Sequence, residues 1–397
     1  MALRFKAVLA LALIASAISF AKFSHCEGTT WATPDQYIHA CYSDLPSLFS
    51  ARALDKNVWP YSSDTNSVEY PVLTGMVMFA TAALVDSPIA YFNLNVIFIV
   101  FIFVALVLIT RRIKPEFGYL LPVAPAMLAS LFINWDLWAI ITMMLAIYWF
   151  DRKSDLYSAL AIGVSISTKF LPIFLLLPIA FIMWRQNRIK DLFKYFAITL
   201  GVWLLINAPF FLTTPTGWWR FYKLNLERSA DWGSLWLALN QLGIGLTNLN
   251  YLAVLLLLTG MTTVAIFLFE LRSSPTLASV AFIVLATVMV VSKVYSPQYV
   301  LWLTPLAVIA LTTRRDLTAF WVWQGGEIVY HVAIWQHLAL VTGAHFGLPQ
   351  GGYALLTLLR IAATLYLIWT LMKRALEARN PQGSAFDLLF EASKVYP

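Results

Sequence analysis

The chain has 397 residues, of which 60% are hydrophobic and only 12% charged, with a net charge of +7 and a mean hydropathy of +0.74. Charged residues at about half the usual share of ~25% exclude a soluble globular enzyme and a disordered chain, and two cysteines exclude a disulfide-dense scaffold. Continuous apolar runs argue against a β-barrel, whose apolar positions alternate, and the positive excess reads as a membrane-topology signal with no nucleic-acid partner.

The first apolar run, Val8 to Phe20, follows Arg4 and Lys6. It reads as a retained signal-anchor helix with its basic end in the cytoplasm, although Ser19 and Ala21 also offer the small-residue spacing of a cleavage site. Residues 22–70 are the longest polar stretch and form an outer first loop containing Asp35, Asp44, Asp55, Asp64 and Glu69. A short apolar run at 72–85 and a longer one at 92–110 follow, the second ending in Arg111, Arg112 and Lys114. Positive charge belongs inside, so only one of these runs crosses. The shorter reads as a re-entrant or interfacial helix on the outer face.

Further spans are predicted at 118–133, 137–150, 156–168, 170–184, 195–212, 251–270, 277–292, 300–313, 317–340 and 353–372. With the first helix and the 92–110 helix they make about twelve, which is what ~20 apolar residues per crossing allow. The inner turns then carry Arg152 and Lys153, Arg185, Arg188 and Lys190, Arg272, Arg314 and Arg315, and Lys373 and Arg374. Residues 1–372 are therefore read as one membrane-embedded domain and 373–397 as a cytoplasmic tail, with both termini inside. Several spans are short, so the turns at 134–136 and 168–169 are expected below the outer surface, where backbone can line a water-filled cavity.

This topology gathers Asp44, Glu69, Tyr70, Asp136, Lys169, Arg220, Lys223, Arg228, Lys293, Tyr295 and Gln298 on the outer face. A cation at membrane depth is costly without a partner. A lipid-linked phosphate is one such partner, and a nearby carboxylate can take a proton from a hydroxyl. The set points to chemistry on a phosphate-linked lipid at the outer leaflet.

The segments Tyr42-Ser43-Asp44-Leu45-Pro46, Trp59-Pro60-Tyr61 and Glu69-Tyr70-Pro71 resemble the first outer loop of glycosyltransferase family 87. Val72 stands where that family's Tyr-Pro-Pro motif usually has its second proline. Asn134-Trp135-Asp136-Leu137, Thr168-Lys169-Phe170-Leu171-Pro172 and Ser296-Pro297-Gln298-Tyr299-Val300-Leu301-Trp302 are also similar to family segments, the last to actinobacterial members. The resemblance covers residues 42–302. It implies a GT-C-like bundle in the plasma membrane with an extracytoplasmic active site. It further implies inverting transfer of a hexose, mannose in this family, from a polyprenyl-phosphate donor to a glycolipid or polysaccharide acceptor. The family's catalytic carboxylate falls on Asp44.

Each candidate residue also has a structural reading. Asp44 is either the general base or a helix cap ahead of Pro46. Glu69, Tyr70, Asp136 and His337 are candidates for acceptor or sugar contacts, with Asp136 alternatively capping a helix. Lys169, Lys293 and Arg220 are candidates for holding phosphate, against simple snorkelling to the interface. Residues 218–223, rich in Trp and Tyr, read as an amphipathic interfacial segment. Glu327 and His331 share one helix face, and Glu327 could pair with Arg360 as glue or as a cavity lining. That intramembrane group leaves a transporter or lipid flippase as the alternative function. Cys26 and Cys41 could form a disulfide in an oxidising exterior. His25, His39 and His345 show no metal-ligand spacing along the chain, and no Walker or dinucleotide motif occurs. No metal or cofactor is expected, the lipid-linked sugar being a co-substrate.

Overall fold

A chain in hydrocarbon must satisfy its own backbone groups, and apolar runs without long β-branched alternation do so as helices. The computed structural model describes residues 5–62, 68–271 and 275–377, all helical or irregular, with no strand among them. Expectations that fall on Arg4, Asp64, Arg272 and the tail beyond residue 377 lie outside the described residues. The helices of the first third are α1 (Phe5–Gly28), α2 (Asp35–Ile38), α3 (Asp44–Ala51), α4 (Val72–Ala82), α5 (Pro88–Ile113) and α6 (Pro125–Ser130). The middle comprises α7 (Asp136–Asp151), α8 (Asp155–Thr168), α9 (Leu176–Arg185), α10 (Ile189–Thr213), α11 (Pro215–Glu227) and α12 (Leu235–Gln241). The last third holds α13 (Leu249–Glu270), α14 (Leu277–Val291), α15 (Val300–Ala310), α16 (Asp316–Val341) and α17 (Gln350–Glu377).

Every predicted span coincides with helix, but most are not full crossings by length. Among the described residues five helices, α1, α5, α10, α13 and α17, are long and apolar enough to cross a membrane. The remaining expected spans are occupied by shorter, broken or more polar helices. Proline accounts for part of the difference. The 118–133 span is split into a 3-10 turn, Gly118–Val123, and α6, at Pro122 and Pro125. The 170–184 span begins as a 3-10 turn, Leu171–Leu175, with Pro172 in it. A proline removes a backbone donor and disfavours helix in the residue before it. Elsewhere the helices are simply short. α8 has 14 residues, about 21 Å of rise against a hydrocarbon core of ~30 Å. α4 has 11 residues, about 17 Å, and cannot cross by itself. α16 has the length, but it carries Gln324, Glu327, His331, Gln336 and His337.

α1 runs unbroken past Ala21. It is pinned by Ser19 Oγ donating to the Leu128 carbonyl at 2.8 Å and Lys22 Nζ to the Ala129 carbonyl at 2.6 Å. Cys26, near its end, is bonded to Cys41 across a Cα separation of 6.0 Å. The first loop is therefore folded back onto α1, and within it lie the two short helices α2 and α3.

Deep in the bundle Arg360 Nε lies 2.9 Å from Glu327 Oε2, both side chains fully buried. The pair is saturated: Glu327 Oε1 accepts from Tyr295 Oη at 2.9 Å and Trp323 Nε1 at 3.2 Å. The guanidinium donates to the carbonyls of Tyr295 and Ser296 and stacks 3.4 Å over the Tyr295 ring. It joins α16 to α17 and fixes the loop that follows α14. With every polar atom committed, the ion pair braces α16 against α17.

Candidate active site

Asp44 sits at the start of α3. The helix cap there is Ser43, whose Oγ accepts from the Leu45 amide at 3.2 Å. Ser43 Oγ also donates to the Phe132 carbonyl at 2.7 Å, and the Asp44 amide donates to Ile133 at 2.7 Å. These bonds lock the turn onto the segment between α6 and α7. Because Ser43 caps, the Asp44 carboxylate is released for other contacts. Its Oδ1 accepts from Tyr42 Oη at 2.8 Å and its Oδ2 from Tyr70 Oη at 3.3 Å. Burial pushes the Asp44 carboxyl above the usual carboxylate range, with the Asp136 charge acting the same way. The Tyr42 bond and the Lys169 charge only partly offset this. The residue still keeps some accessible surface.

Asp136, the first residue of α7, is buried. Its amide bonds to Asn134 Oδ1 at 2.9 Å, and its Oδ2 accepts from Trp302 Nε1 at 3.0 Å. Its Oδ1 lies 2.7 Å from Lys169 Nζ. Lys169 follows the last turn of α8 in extended backbone, and its ammonium sits 4.1 Å above the Tyr70 ring. Tyr70 thus works on two sides, its hydroxyl on Asp44 and its ring face under Lys169. Tyr61 holds it in place by donating to the Tyr70 and Pro71 carbonyls at 3.1 and 2.9 Å. Four predicted site residues from three distant segments, Asp44, Tyr70, Asp136 and Lys169, form one continuous group.

A cavity of about 650 Å³ opens beside this group. Its polar lining residues include Asp136, Lys169, Lys293, Asn225 and Asn250. The rest is apolar, lined by Leu171 and Phe174, by Ala253, Val254 and Leu257 of α13, and by Val288, Met289 and Val291 of α14. Lys293 Nζ donates to Asn250 Oδ1 at 2.8 Å and to the Leu226 carbonyl at 3.2 Å. Burial, and then the positive charge of Arg228, lower its pKa from the ordinary lysine value. Two lysines in a mainly apolar lining suit an anionic head on a hydrocarbon tail.

Other predicted residues are placed differently. Glu69 is bracketed by two arginines, Oε2 at 2.7 Å from Arg52 and Oε1 at 2.9 Å from Arg220. Although burial opposes it, these two bonds hold its carboxyl below the usual range. Glu69 and Arg220 therefore clamp the first loop to α11, whose aromatic residues Trp219, Phe221 and Tyr222 reach the cavity wall. The amphipathic segment expected at 218–223 lies within this helix. His337 is buried elsewhere, bonded through Nδ1 to the Leu348 carbonyl at 2.9 Å and stacked on Tyr353 at 4.7 Å. Its contacts are with α17 and the segment preceding it, and with Trp232, not with the Asp44 group. Arg52 and Asn250 escaped sequence reasoning. Arg52 lies just after α3, beyond any local pattern, and Asn250 stands at the start of an apolar helix.

No family model matches the chain, and no curated protein matches it. Among solved structures, the crystal structure of ArnT from Cupriavidus metallidurans bound to undecaprenyl phosphate is similar at 13% identity, over 94% of this chain and 77% of that chain, with a TM-score of 0.46. A likeness at that level carries no argument about chemistry, which rests on the side chains just described.

Proposed function

We propose that this chain is an integral membrane glycosyltransferase of the GT-C kind, similar to family 87. It transfers a hexose, mannose by that resemblance, from a polyprenyl-phosphate sugar to a hydroxyl of a glycolipid or glycan on the extracytoplasmic side of the plasma membrane. The observation that carries the reading is a single cleft. Its mainly apolar lining includes Lys169 and Lys293, and Tyr70 links Lys169 to the carboxylate of Asp44.

In this mechanism the prenyl chain lies along α13 and α14 and the donor phosphate meets Lys169 and Lys293. Asp44 removes the proton from the acceptor hydroxyl, and the oxygen attacks the anomeric carbon from the face opposite the phosphate. The bond from that carbon to the phosphate oxygen breaks, and the phosphate leaves with the electron pair. Lys169 stabilises the charge that develops there. A β-linked donor gives an α-linked product. Asp136 stores Lys169 until phosphate arrives, and Trp302 keeps Asp136 oriented. The raised Asp44 carboxyl is a stronger base than an exposed aspartate, which suits a hydroxyl as proton donor. The Glu69–Arg220 clamp shapes the acceptor side, and both chain termini lie in the cytoplasm.

The test is transfer of radiolabelled sugar from a polyprenyl-phosphate donor by the purified protein. Asp44→Asn should lower the rate by ~10²–10⁴-fold while donor binding persists. Full transfer by a folded Asp44→Asn protein refutes the base assignment. No transfer from any lipid-phosphate sugar, with proton-driven uptake in vesicles, overturns the enzyme reading.

A further inference from the structure

Away from the cleft, the first loop assembles a cluster that its sequence spacing hides. His25 lies at the end of α1, while Asp35 and His39 begin and follow α2. The Cys26–Cys41 bond closes the 15-residue separation between these segments, so the two histidines next to it in sequence are brought face to face. Their ring centroids are 3.7 Å apart. Both converge on one carboxylate: His25 Nε2 is 3.0 Å from Asp35 Oδ2, and His39 Nδ1 is 3.1 Å from Asp35 Oδ1. One ligand atom from each residue lies within 4.8 Å of the others.

We propose that His25, Asp35 and His39 form a zinc site on the outer loop. Ligand type comes first: two imidazoles and one carboxylate suit zinc, whereas magnesium and calcium prefer all-oxygen sets. Spacing comes second. Around tetrahedral zinc, ligands at ~2.0–2.1 Å are separated by about 3.4 Å; the imidazoles lie 3.0 and 3.1 Å from the two oxygens of Asp35, and one ligand atom of each residue lies within 4.8 Å of the others, so small side-chain rotations gather them around one ion. Without metal the two ring nitrogens turn N–H groups to the carboxylate. With metal the same nitrogens turn lone pairs to the ion, and each N–H moves to the opposite ring nitrogen. Thr29 Oγ1 donates to Asp35 Oδ2 at 2.9 Å and acts as the outer partner that orients a ligating carboxylate. All three side chains keep 30–45% of their surface exposed, which leaves an approach for the ion and room for a water as fourth ligand.

The ion's expected effect is on the conformation of the loop. Tyr37, between the ligands Asp35 and His39, stacks on Tyr42 at 5.7 Å and on Trp335 at 6.0 Å, and Tyr42 bonds Asp44. Zinc would fix α2 to the end of α1 and stiffen this aromatic column. The inference stands apart from the proposed reaction, because its readout is metal binding.

The experiment uses the full chain in detergent, freed of any histidine tag and stripped with chelator. Zinc chloride is titrated by calorimetry, and cobalt(II) substitution reads coordination by its visible bands. Wild type and His345→Ala, which alters an exposed histidine outside the cluster, should each bind one zinc per chain. They should show tetrahedral cobalt bands. His25→Ala/His39→Ala, and separately Asp35→Asn, should weaken binding, the double variant by more than about 100-fold, with thermal unfolding in chelator unchanged for Asp35→Asn. Absence of stoichiometric zinc binding by wild type overturns the proposal. So does equal affinity in the double variant.

Discussion

Replacing Lys169 by Met tests whether that ammonium serves the donor or merely neutralises Asp136. The two charges lie 2.7 Å apart, with 16% and 1% of their side chains exposed. At an effective dielectric of ~20 the gross attraction is about 6 kcal/mol, before desolvation. Removing Lys169 alone strands Asp136 with Trp302 as its remaining side-chain donor, and orphaning a buried charge costs about 3–5 kcal/mol. Lys169→Met should therefore lower thermal stability and also transfer. Adding Asp136→Asn removes the orphaned charge and should restore most of the stability. If Lys169 holds the departing phosphate, the double variant still lacks that interaction, and transfer stays down by ~10²–10³-fold, equivalent to about 2.7–4 kcal/mol. The assay is transfer from a polyprenyl-phosphate sugar, alongside thermal unfolding of both variants in the same detergent. A double variant that regains near wild-type transfer refutes the phosphate role and leaves Lys169 as a counter-ion.

The acidic limb of the pH–rate profile should lie above the ordinary aspartate value of ~4, since burial raises the Asp44 carboxyl. Tyr42→Phe deletes the hydrogen bond that most opposes this rise, so its limb should move to higher pH; an unmoved limb detaches Asp44 from the rate. Arg360→Met leaves Glu327 buried without its cation and should destabilise by about 3–5 kcal/mol, with partial recovery in Glu327→Gln/Arg360→Met. Both are read by thermal unfolding, and an unaltered single variant contradicts the brace. Gly233 has φ of +75°, and a Cβ there would meet the Tyr295 carbonyl and the Tyr330 hydroxyl. Gly233→Ala should cost more than ~1 kcal/mol and weaken donor binding, because the same turn bonds the loop bearing Lys293 through the Asp231 amide at 2.8 Å.

Helix positions were legible because hydrocarbon leaves the backbone few alternatives, so each apolar run announced a helix. Their lengths were less legible. Prolines at 122, 125 and 172 convert continuous runs into 3-10 turns followed by short helices, and hydropathy does not register that change. Asp44, Tyr70, Asp136 and Lys169 stood out because charged or hydroxylated groups next to apolar helices are rare enough to notice. Their mutual contacts were not legible, since Tyr70 reaches both Asp44 and Lys169 through tertiary packing. Glu69 and Arg220 read as substrate ligands, and their bond to each other across 151 residues was not legible either. His337 looked close to the outer end, and its ring is committed to Leu348 and Tyr353. In the cluster of His25, Asp35 and His39 only the Asp35–His39 pair has helical i,i+4 spacing; His25 is brought to it by the Cys26–Cys41 cross-link, which the spacing along the chain does not show.

The trough walled by α13 and α14 has a kinetic consequence. Much of α13 faces away from the protein: Val254 and Leu255 keep more than half of their surface exposed, and Val254 also borders the cavity. A donor reaching Lys169 past this helix arrives sideways from the bilayer, not from water. Under the proposed reaction, the enzyme therefore responds to the mole fraction of donor in the surrounding lipid. Diluting a fixed amount of donor with inert phospholipid should slow transfer even though the amount per volume is constant, and an apparent KM acquires meaning only per unit of membrane area.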